Sequence, residues 1–235
     1  MSQDDKKTPL FLVGIFCLPP SVQTAVSVHW QWQTIITYPL FKLLMISGPL
    51  IVWLTSGRSA PQIAKLVGFK RTSMLPGILI GLLMSSVILA GYYILLRPLI
   101  DPGPMLAKVE SLSLLEHYWI MALFISLLHS FFEEYYWRAF LLSELRTWIP
   151  GTLLLCLLSG AVFGLHHIFA MLSLFAWPLV TLCVLGTMLA GGLWSWMRLR
   201  GYSIWDCYIS HVLADLAVMG IGYHLILRAT GSVAG

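Results

Sequence analysis

Leu127-Leu128-His129-Ser130-Phe131-Phe132-Glu133-Glu134-Tyr135-Tyr136-Trp137-Arg138-Ala139-Phe140-Leu141-Leu142 is a polar island inside a long apolar run. A charged side chain near the centre of a bilayer costs at least about 2.5–3.5 kcal/mol, so an ionisable residue there is read first as functional. Two adjacent carboxylates, with an arginine four positions behind the second, need either a task or a place in water. Apolar residues resume at 139–142, which argues against a helix end at the aqueous interface.

The surrounding chain makes the membrane reading firm. Of its 235 residues, 58% are hydrophobic and 10% charged, where an average soluble domain has roughly 25% charged. Apolar runs of about 20 residues recur, the length a helix needs to cross a hydrocarbon core. The fold class is therefore all-α: a polytopic transmembrane helical bundle. Six spans are clear, at about residues 34–55, 74–96, 118–145, 152–170, 172–197 and 204–227, with a seventh at about 10–28. Pro19-Pro20 and Gln23 interrupt that first stretch, and its Lys6-Lys7 flank also suits a signal peptide. No polar stretch is long enough to fold alone, so residues 1–235 form one membrane-embedded domain, with a catalytic core at about 113–228.

The net charge of +4 is small and reads as loop bias rather than a nucleic-acid surface. Arg58, Lys65, Lys70 and Arg71 occupy one loop, Arg146 a second, and Arg198 and Arg200 a third. Alternation of spans puts all three loops on one face, which is cytoplasmic by the positive-inside rule, and Lys6 and Lys7 join it. Trp30 and Trp32 mark the opposite interface. Lys42 lies inside a span and is expected to snorkel outward to that interface. The four cysteines, Cys17, Cys156, Cys183 and Cys207, are scattered singly, which argues against a disulfide framework or a zinc site.

Three polar features repeat at one depth. Glu134 and Arg138 are four apart with the acid first, the favourable order for a same-face ion pair, while Glu133 lies about 100° around the helix and faces elsewhere. In the next span comes Phe163-Gly164-Leu165-His166-His167. For an antiparallel hairpin turning near Pro150-Gly151, Glu133 and His167 both fall about 24 Å from the turn. In the last span His211 and Asp215 are four apart, about 15 and 21 Å from a turn near Gly201. A desolvated carboxylate, a histidine to hold water and a further histidine to meet an oxyanion describe water-dependent acyl cleavage without a nucleophilic side chain.

Glu133-Glu134-x-x-x-Arg138, then Phe163-x-x-x-His167, then His211-x-x-x-Asp215 resembles the three motifs of the CPBP family. These are the CAAX prenyl endopeptidases and bacteriocin-processing, Abi-type glutamic intramembrane proteases. The likeness covers about residues 131–216. It implies that Glu133 is the general base that activates water, assisted by His167, and that His211 and the residue four positions on stabilise the oxyanion. That last residue is more often Asn in the family; here it is Asp215, which must be protonated or serve to orient His211. His166 neighbours the motif histidine, and helical spacing turns it about 100° away. The resemblance further implies a catalytic set of Glu133, Glu134, His167, His211 and Asp215, with Arg138 in support. No cofactor or metal is expected. The partners are the bilayer and a membrane-associated protein or peptide, prenylated or not, and no nucleic acid. By analogy with short family members the location is a bacterial inner (cytoplasmic) membrane.

Two rival readings remain at this stage. A metal-dependent membrane hydrolase could draw ligands from His129, Glu133, His167 and His211, although no HExxH occurs. A non-catalytic scaffold or transporter could use the same buried charges for packing or ion passage, although no internal repeat is evident. Serine chemistry has little support, since Ser159-Gly160 lacks the glycine of GxSG. Aspartyl chemistry has as little, since only Asp215 lies well inside a span.

Overall fold

The computed structural model of the protein describes residues 8–69 and 73–232; Lys6, Lys7, Lys70 and Arg71, four of the charges that orient the bundle, lie outside them. Among the described residues every regular element is helical. In chain order these are α1 (Leu10–His29), α2 (Thr34–Thr55), α3 (Ala60–Val67), α4 (Leu75–Leu99), α5 (Gly103–Ser111), α6 (118–146), α7 (Thr152–Leu165), α8 (Ile168–Leu172), α9 (Trp177–Leu199) and α10 (Ile204–Ala229). Six helices are long and apolar enough to cross a membrane: α1, α2, α4, α7 with α8, α9 and α10. The N-terminal stretch is thus one of the six. The glutamate-bearing α6 is helical throughout and roughly 40 Å long, but its own charges make it less apolar than the others.

Local chemistry explains the departures from the expected boundaries. α9 starts at Trp177 rather than near residue 172 because Pro178 belongs in a first helical turn, where its missing N–H is no loss. α1 pauses at Phe16-Cys17 and resumes with Pro19 and Pro20 in the new first turn. Pro20 cannot donate to the carbonyl four residues back, and the hydroxyl of Tyr136 takes that carbonyl of Phe16 instead, at 2.5 Å.

The chain divides into two compact units. The first holds residues 1–71, 132–172 and 177–204, and the second holds 72–131, 173–176 and 205–235. In the first unit α7 packs on α9 at backbone distance. A Cβ on Gly160 would come within 2.4 Å of the Met188 carbonyl oxygen, so only glycine fits there. The buried hydroxyls of Ser159 and Ser195 meet at 2.9 Å across the same seam. α2 lies along the second half of α6, where the Tyr135 hydroxyl donates to the Ile46 carbonyl at 3.1 Å and Trp53 Nε1 donates to Glu144 at 3.0 Å. Both pairings ascend together, so the two helices run parallel. Arg58 grips the same Glu144 carboxylate with both terminal nitrogens.

In the second unit α4 approaches α10 equally closely, since a Cβ on Gly77 would lie 2.4 Å from the Asp206 carbonyl oxygen. The Ser85 hydroxyl donates to the Leu213 carbonyl along that contact at 2.8 Å. Val109, Tyr118, Ala122 and Ile226 form an apolar core that ties α5, α6 and α10 together. No disulfide joins the four cysteines.

Candidate active site

α6 carries its charges on widened turns. Over Phe124–His129 and Glu134–Leu141 the backbone bonds reach five residues back, as from the Leu142 N–H to the Trp137 carbonyl. Such π turns recur where a helix must re-aim side chains at a site. Arg138 still lies against Glu134, with Nε 3.4 Å from Oε2 and both side chains fully buried. Its guanidinium rests on two aromatic faces, 4.4 Å from the centre of Phe163 and 5.2 Å from that of Trp194. The aromatic faces supply the cation with partners that water would otherwise provide. The expected support role of Arg138 toward Glu134 thus has a packed geometry behind it.

Glu133 is 3% exposed, and Nε2 of His166 lies 3.0 Å from its Oε1. Sequence spacing turned His166 away from this carboxylate, and that expectation is corrected. It assumed that α7 stays regular through both histidines. α7 instead ends at Leu165, and the chain tightens so that the His167 N–H bonds the Gly164 carbonyl three residues back at 3.1 Å. Outside the regular helix the 100° step no longer applies, and the two rings come together with centroids 3.9 Å apart. One ligand atom each from Glu133, His166 and His167 lies within 4.8 Å of the others. The expected meeting of Glu133 with His167 is present, and His166 is added to it.

Hydrogen-bond partners set the two rings apart. Nδ1 of His167 is 3.0 Å from the Phe163 carbonyl oxygen, which only accepts, so Nδ1 carries a proton and a neutral ring presents Nε2 as acceptor. Nε2 of His166 faces a carboxylate and donates to it, while its Nδ1 is buried without a hydrogen-bond partner. The His166 ring also stacks on Trp137, with centroids 5.2 Å apart. From α1, the Thr24 hydroxyl donates to the His166 carbonyl at 2.6 Å and fixes the turn.

The third motif lies in the second unit. His211 is 3% exposed, and its Nε2 stands 3.6 Å from Oδ2 of Asp215, an ion-pair spacing beyond hydrogen-bond length. The Ser130 hydroxyl donates to the same Oδ2 at 2.5 Å and also lies 3.0 Å from the Ile125 carbonyl. Ser130 sits three residues before Glu133 in the sequence and had no motif to mark it.

The rival metal reading drew on His129, Glu133, His167 and His211. The group brought to ligand spacing among the described residues is Glu133, His166 and His167. A carboxylate and two imidazoles suit a divalent transition metal as well as a bound water.

Residues 115–217, which contain all three motifs, match the family model described as type II CAAX prenyl endopeptidase Rce1-like. No curated protein and no solved structure matches the chain.

Proposed function

We propose, from the match of residues 115–217 to the type II CAAX prenyl endopeptidase Rce1-like family, that this chain is a membrane peptide hydrolase of that family and that it cleaves its substrate by carboxylate-activated water. The observation that carries the reading is the buried Glu133–His166 hydrogen bond with His167 beside it. A water held between Glu133 and Nε2 of His167 gives its proton to the carboxylate as its oxygen attacks the scissile carbonyl. The new C–O bond leaves a tetrahedral oxyanion, and collapse of that intermediate breaks the C–N bond. The proton on Glu133 passes to the departing amine, which restores the base. His166 keeps the carboxylate aimed. Glu134 and Arg138 neutralise one another and hold the turn that carries Glu133.

The family resemblance assigns His211, in the second unit, to oxyanion stabilisation. Asp215, where relatives more often have Asn, serves to orient His211, and the Ser130 hydroxyl holds that carboxylate in turn. The substrate is a membrane-associated protein or peptide, processed at a CAAX-like or sorting tail, and the site of action is a bacterial inner membrane. The test is cleavage in membranes by the wild type beside Glu133→Gln and His167→Ala. Loss of turnover in both variants, with normal folding, is the expected result; undiminished proteolysis in both would sink the assignment.

The ligand spacing of Glu133, His166 and His167 favours one second reading, a metal-dependent hydrolase. Metal analysis of protein purified with and without chelator separates the two. A stoichiometric ion that disappears in both His166→Ala and His167→Ala would favour the metal; activity that survives complete chelation would favour the carboxylate alone.

A further inference from the structure

Lys42 was expected to reach outward to the membrane interface, yet it is 7% exposed and turned inward. Its Nζ lies 5.4 Å over the ring of Tyr38 and 3.8 Å from Sδ of Met45. An aromatic face and a thioether replace water poorly around an ammonium, so a countercharge must be near. The register of α2 on α6 places one. Ile46 accepts from Tyr135, and Lys42 lies one turn, about 6 Å, before Ile46, while Glu133 lies about 3 Å before Tyr135. The helices run parallel, so Lys42 and Glu133 share a layer within about 3 Å of depth. Lys42 and Tyr38 both interact electrostatically with Glu133.

The buried charges of this unit agree. Among its described residues the buried charged side chains are Lys42, Glu133, Glu134, Arg138 and Glu144. Arg138 matches Glu134 and Arg58 matches Glu144. Lys42 then matches Glu133, and the buried acids of the unit each have a cation. An unbalanced buried charge would be strongly disfavoured.

We propose that Lys42 is the counter-ion of Glu133, a positioning residue that holds the catalytic carboxylate aimed toward His166 and His167. The proposal rests on Glu133 as the base. It assigns Lys42 to turnover rather than to substrate binding.

The test uses the full chain in proteoliposomes, with a prenylated fluorogenic CAAX peptide as probe. Lys42→Met is expected to lower kcat roughly tenfold with KM within about twofold, and Lys42→Arg to recover most of the loss. A change confined to KM, or no recovery with arginine, would overturn the proposal. Thermal melting of Lys42→Met, Glu133→Gln and the double variant gives a second reading that needs no activity. The double variant should melt above Lys42→Met, because no uncompensated carboxylate remains; strictly additive losses would overturn the pairing. Full activity in Glu133→Gln would remove the base assignment, while the melting cycle would still decide whether the two charges pair.

Discussion

His166 Nε2 donates to Glu133 Oε1 at 3.0 Å across 33 positions of sequence, and the ring is fixed on its other side by stacking on Trp137. The carboxylate is thus oriented by a residue next to the motif histidine rather than by the motif histidine alone. His166→Ala should lower kcat by roughly 10–100-fold, less than Glu133→Gln, with KM little changed. Single-turnover cleavage in membranes measures the ordering. Equal rates for His166→Ala and the wild type would remove His166 from the site.

Asp215 is held by the Ser130 hydroxyl beside His211. An orienting role needs an acceptor and not a charge, so Asp215→Asn should retain activity to within about threefold. Asp215→Ala should lose roughly tenfold, and Ser130→Ala a smaller amount in the same direction. Abolition of cleavage by Asp215→Asn would point to a requirement for the carboxylate itself.

Arg138 and Glu134 are both fully buried. Removal of one partner from such a pair costs about 3–5 kcal/mol, because the other charge stays behind. Arg138→Met should therefore strongly lower the melting temperature in detergent, and the double variant Glu134→Gln/Arg138→Met should recover much of it. Arg138→Lys should not rescue fully, since a lysine cannot lie flat on Phe163 and Trp194 as the guanidinium does.

Glu144, about three helical turns after Glu133 on α6, takes hydrogen bonds from Trp53 and Arg58. Glu144→Ala leaves Arg58 and the Trp53 N–H without their acceptor. A loss of about 3 kcal/mol in stability is expected, with cleavage per folded molecule close to wild type. A fall in kcat without a fall in melting temperature would give this cluster a part in the chemistry.

The Glu134–Arg138 pairing was legible from spacing alone, since i,i+4 geometry with acid first survives the widening of the turn. The membrane character and most helices were equally plain, because runs of twenty apolar residues admit few other readings. His166 was misjudged because periodicity extends a helix through any residue that tolerates it, and nothing in Leu165-His166-His167 announces the turn. Lys42 departs from expectation because a lysine inside a span ordinarily snorkels to the interface, whereas the parallel register of α2 on α6 places it level with Glu133. Ser130 and the Arg58–Glu144 clamp act across 85 and 86 positions and leave no local signature.

The turn at His166-His167 also ends α7, and a helix end inside a bilayer leaves carbonyls that must find donors. His167 answers one at Phe163, and Thr24 answers another at His166. The same imidazole that would hold water therefore seals the backbone beneath it. In the proposed reading, alanine at residue 167 removes a water-holding group and a cap together, so the severity of that lesion measures scaffold and chemistry at once. A replacement that keeps a donor toward Phe163 separates the two debts. A substitution at residue 167 therefore meets the bilayer's intolerance of an unanswered carbonyl and, in the proposed reading, the demands of the reaction as well.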